Sequence, residues 1–133
     1  MKPILLLLFG TMVTHAQLAV TVSPIKVTGQ KAVVPIAMKN NLNAKVESAR
    51  TAVFLLDEQG KIVGQATRWV IGGSADNPGL AVGATNAFHF VITSDKPFVT
   101  TKLTAKVAFS HVVLEGGKLA DINKDVLVSA ATK

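Results

Sequence analysis

The sequence contains no cysteine. That absence excludes disulfides, thiol nucleophiles, thiolate metal sites and a lipid anchor carried on a cysteine. Tyrosine is absent too, and tryptophan occurs once in 133 residues. A surface that stacks nucleic-acid bases would have few rings to draw on, and the basic residues are scattered rather than clustered. Acids are scarce, with 8 Asp and Glu against 14 Lys and Arg. Asp57, Glu58, Asp76, Asp95, Glu115 and Asp121 lie in or beside expected turns, so no paired carboxylates stand out for acid–base chemistry. Ser74, Ser94 and Ser110 have no nucleophile-elbow motif around them. No Asn-x-Ser/Thr acceptor occurs.

Long hydrophobic runs are missing except at the start. "MKPILLLLFGTMVTHA" places Lys2 before an apolar stretch from Ile4 to Val13, then Thr14 and Ala16 at the −3 and −1 positions of a cleavage site before Gln17. This is the layout of a secretory signal peptide over residues 1–16. The apolar stretch is well short of the roughly 20 residues of a permanent membrane helix. Residues 17–133 are then expected to form one exported domain, with no transmembrane segment after cleavage. That domain keeps 13 basic and 8 acidic residues, a net charge of +5. It must be held by its core alone, which favours a bacterial periplasm or cell surface. Its charge suits a protein partner or an anionic envelope polymer rather than nucleic acid.

Between its turns the exported portion alternates apolar and polar residues, the period of a half-buried strand. Leu18–Val22, Ile25–Val27, Lys31–Asn40, Val46–Asp57, Lys61–Ile71, Asn86–Thr93, Thr101–Leu114 and Val126–Thr132 read as strands. Pro35 lacks an amide donor and is expected at a sheet edge or a bulge. Val46–Asp57 puts Thr51, Val53 and Leu55 on one face and Ala52, Phe54 and Leu56 on the other, as in a central strand. In Asn86–Thr93, Phe88, Phe90 and Ile92 oppose His89. Continuous alternation through Thr101–Leu114 would put Phe109, His111 and Val113 on one apolar face. Asp57–Gly60 and Glu115–Lys118 read as tight hairpin turns. No long amphipathic helix and no internal repeat is visible. The pattern predicts an all-β fold, an immunoglobulin-like or fibronectin-III-like antiparallel β-sandwich of about seven strands.

The run "LLDEQGKIVG", followed later by "LAVGATNAFHFVI", resembles bacterial extracytoplasmic domains of the FxLYD type. Aligned on the turn, Leu55 and Asp57 match the first motif, while Val53 and Leu56 replace its Phe and Tyr. Leu80 and Gly83 match the second, with Val82 in place of Pro. The resemblance implies an immunoglobulin-like fold and brings no catalytic residue with it. "VTVSPIKVTGQKAVVPIAMKN" is similar to the first strands of periplasmic pilus-chaperone domains, but the paired basic residues of those domains have no counterpart here.

Four features invite a functional reading. His111 could act as a base or ligand, but only His89 accompanies it in the exported portion, and on an outward face. Asp121, Asn123 and Asp125 open like a calcium loop, yet Val126 stands where the loop needs Gly and no closing Glu follows. The Gly72–Gly83 connection is not a phosphate loop, because Ala84-Thr85 and a strand follow it. It reads instead as a sandwich connection that could serve as a recognition loop, with Asp76 and Asn77 as its polar contacts; Arg68 and Trp69 beside it would form an anchor if Trp69 is exposed, and Trp69 is core if it is buried. No cofactor is implied. The expected function is a non-catalytic exported module that binds another envelope or cell-surface macromolecule through loops or strand addition. The alternatives are a chaperone-like or structural subunit using strand addition, and a small-ligand or calcium-binding protein.

Overall fold

The computed structural model describes residues 16–73, 78–99 and 102–130. The described residues form an all-β sandwich of nine strands in two sheets. The strands are β1 (Leu18–Val22), β2 (Lys26–Thr28), β3 (Lys31–Asn40), β4 (Val46–Leu56), β5 (Ile62–Ile71), β6 (Thr85–Thr93), β7 (Thr104–Leu114), β8 (Lys118–Leu119) and β9 (Val126–Ala130). A single-turn helix, α1 (Ile122–Asp125), joins the last two. The count exceeds the expected seven chiefly because β2 and the two-residue β8 are separate ladder pieces.

In the first sheet β3 is central. It pairs with β6 on one side and with β1 and β2, end to end, on the other. β9 closes this sheet by pairing with β1 in parallel, the one departure from antiparallel order. The second sheet runs β5-β4-β7-β8. The chain crosses between sheets after β3, β5, β6 and β8 and otherwise stays within one sheet from strand to strand.

The core follows the alternation. Leu18, Val20, Val34, Ile36, Met38, Phe90 and Ile92 from the first sheet meet Val46, Val53, Leu55, Ile71, Phe109 and Val112 from the second, all buried. Burying each such side chain is worth about 1.5–3 kcal/mol, which is how a domain of this size coheres without a crosslink. Among the described residues Thr51 and Asn40 are the buried polar side chains, and Asn40 is the one held by side-chain hydrogen bonds. Its Nδ2 donates to Ala44 O at 2.9 Å and Leu80 O at 3.0 Å, and its Oδ1 accepts from Leu42 N at 2.9 Å. The side chain thereby ties the β3–β4 turn to the Leu80 segment, which also bridges to Val46.

Two expectations change. Pro35 sits in the central strand β3, opposite His89 of β6, not at an edge. Its carbonyl accepts from Ser23 N at 2.9 Å, so its missing donor faces the Ser23–Ile25 break between β1 and β2, where no ladder bond is lost. β7 is not a continuous alternation. Arg50 opposes His111 and Thr51 opposes Phe109, leaving Ser110 as a bulge that turns His111 outward and Val112 inward. The Asp57 turn forms as its residues suggest. Asp57 Oδ1 accepts from Gln59 N and Lys61 N, both at 2.9 Å, and Gly60 takes φ +82°.

Candidate functional site

Cross-strand partners share a sheet face, so the register fixes the outer face of the second sheet row by row. Trp69, Arg50 and His111 form one row across β5, β4 and β7. Thr67, Ala52 and Ala108 form the next, then Gln65, Phe54 and Lys106, then Ile62, Leu56 and Thr104. Ala52, Phe54 and Leu56 are half-buried among their own neighbours and are not part of the core. No described element packs on this face.

The first row is shaped by two bulges. On β5 Val70 is the extra residue, since Ala49 pairs with Ile71 and Arg50 with Trp69. On β7 it is Ser110. The β5 bulge sends Val70 and Ile71 both inward, and the β7 bulge leaves Ser110 and His111 both outward. Bulges re-aim side chains where a regular ladder would not, and here they flank Arg50 from both sides. Trp69 stays 42% exposed. Its ring lies 6.3 Å from that of His111, tilted by 30°. Its other support is backbone: a Cβ on Gly73, at φ +85°, would stand 2.9 Å from Trp69 Cβ and Cγ. The small Ala52 and Ala108 leave a shallow floor between this row and Phe54. The four rows hold Arg50, Lys106 and His111 and no carboxylate.

Arg68 does not join Trp69. Adjacent strand residues point to opposite faces, and Arg68 turns inward at the rim. Its Nη2 donates to His89 O of β6 at 2.7 Å, and its guanidinium lies 4.8 Å over the Phe90 ring. It links β5 to β6 at the rim of the sandwich while remaining exposed. Asp76 and Asn77 lie outside the described residues. The later part of their connection is fastened down: Leu80 exchanges hydrogen bonds with Val46, and Gly83 N donates to Asn40 O at 2.7 Å.

His89 and His111 are on different sheets, on β6 and β7 respectively, so they do not form one site. Asp121, Asn123 and Asp125 form a capped turn. Asp121 Oδ1 accepts from Asn123 N at 3.1 Å, and Asp125 Oδ2 accepts from Asp121 N at 2.9 Å. Among the described residues no three His, Asp or Glu side chains come together to hold a metal ion. Among those residues, too, no helix is long and apolar enough to cross a membrane.

The sequence carries a signal for the Trp69–Arg50–His111 row. Trp69-Val70-Ile71 puts three large apolar residues in succession, and Ser110-His111 two polar ones, each breaking a strict alternation. Compared with protein families, with characterised proteins and with solved structures, the chain matches none.

Proposed function

We propose that this chain is an exported, non-catalytic β-sandwich module that binds another macromolecule of a bacterial envelope or cell surface, using the outer face of its second sheet. The observation that carries the reading is the row of Trp69, Arg50 and His111, held outward by a bulge on each side. An exposed Trp beside Arg is the composition of an interface anchor. The four rows, with Arg50, Lys106 and His111 and no carboxylate, suit an acidic protein or an anionic polymer, and the acid on β4, Glu47, is exposed beyond Arg50.

The test is zero-length carboxylate–amine crosslinking in the native envelope, followed by mass spectrometry. One reproducible partner joined through Lys106, and lost in Trp69→Ala and Arg50→Glu, is the expected result. Capture unchanged in both variants overturns the assignment of this face. A second mode, strand addition, is favoured by a separate observation: among the described residues β7 has no ladder partner along most of one edge.

A further inference from the structure

The second sheet stops short on the β7 side. β8 pairs with β7 only at Val113 and Leu114, after which the chain leaves through α1 and joins the first sheet as β9. From Thr104 to Ser110, β7 has β4 on one side and no ladder partner on the other among the described residues. A strand's amides and carbonyls point alternately to its two sides, so this stretch keeps a row of donors and acceptors aimed at the open flank. The row overlooks a groove of about 460 Å³ between the sheets, whose walls include Val22, Ile25, Leu103, Val107, Val128 and Ala130. Lys106 lines it as well, and no acid does.

We infer that this flank accepts an extended peptide segment of a partner protein, added to β7 as a further strand. Its apolar side chains would enter the groove at alternate positions, and a carboxylate would lie beside Lys106. Three features select that occupant. The unpaired ladder calls for a peptide backbone, which a lipid or sugar does not supply. The apolar walls call for the two-residue alternation of a strand. The charge separates a foreign strand from a second copy. Lys106 lies on the outer face beside the edge, and two β7 edges paired about a two-fold axis near it would set lysine against lysine, a known deterrent to edge self-pairing. An acidic strand meets attraction at the same place. The groove is a surface distinct from the Trp69 row, so either can fail without the other.

The experiment uses the protein in the form that the cell accumulates and a synthetic peptide of about nine residues, a usual strand length. The peptide alternates valine with threonine and glutamate. Amide hydrogen exchange, read by NMR, should slow at alternate residues from Thr104 to Ser110 when the peptide is added. Lys106→Glu should weaken this peptide about tenfold, near 1.4 kcal/mol, and favour a lysine-bearing version. Val128→Asp, in a partly exposed groove residue, should abolish binding while leaving the melting midpoint nearly unchanged. Trp69→Ala should leave this peptide's affinity as it was, which separates the groove from the face assigned above. Exchange unchanged along Thr104–Ser110, protection confined to the edges of β5 or β6, or a Val128→Asp protein that binds normally would each overturn the inference.

Discussion

The two flanks of the sandwich are finished in opposite ways. On the β5–β6 side, Arg68 reaches from one sheet to the other, donates to His89 O and covers Phe90. On the β7–β9 side no such strap joins the sheets among the described residues, and an apolar groove stands open beside an unpaired edge. A guanidinium can seal a flank because its aliphatic stem lies along apolar surface while its planar head satisfies a carbonyl. Where that device is missing, the same architecture leaves backbone and apolar surface available together. One flank is sealed by a side chain and the other is left open, and the effects of substitutions on stability should sort accordingly.

The largest effect should come from the closed flank. Phe90→Ala removes a core ring and the surface on which Arg68 rests, and should cost about 3–5 kcal/mol in chemical denaturation. Arg68→Ala should cost about 1–2 kcal/mol, from a hydrogen bond to a charged donor and a ring contact. Arg68→Lys should recover less than half of that, since lysine lacks the planar fork. Thr51 lies on the same inward face, opposite Arg68, and its hydroxyl is buried with no hydrogen-bond partner among the described residues. Thr51→Val keeps the shape and removes the orphaned group, so it should stabilise by about 1 kcal/mol. On the open flank Val128→Thr should change stability by less than about 0.5 kcal/mol. A loss there comparable to that of Arg68→Ala would mean that both flanks are structural, and the contrast would disappear.

Much of this division was legible from composition and alternation. The inward faces of β4 and β6 follow from counting by two, because a ladder leaves each side chain only two directions. The Asp57–Gly60 turn follows from one carboxylate near its own amides and one residue free to take positive φ. Arg68 and Trp69 are neighbours on a strand and so face opposite ways, which separates an anchor of one from an anchor of the other. His111 shows where counting by two fails. A bulge adds one residue, and every side chain beyond it changes sides. Pro35 depended on something no local pattern holds: that β1 and β2 would break opposite it. The Trp69–Arg50–His111 row and the β7 groove depend on which strands become neighbours, and that is set by the crossings between sheets rather than by any single segment.

The parallel pairing of β1 with β9 bears on how the molecule comes to be folded. Leu18 lies against Val126 and Val22 against Ala130, so the first strand finds one of its partners more than a hundred residues further on. Until residues 126–130 are available, β1 has β3 on one side and nothing on the other. Contacts so distant in sequence fold slowly. The first sheet cannot be completed until residues 126–130 have been made, so β1 keeps an open side through the synthesis of everything between.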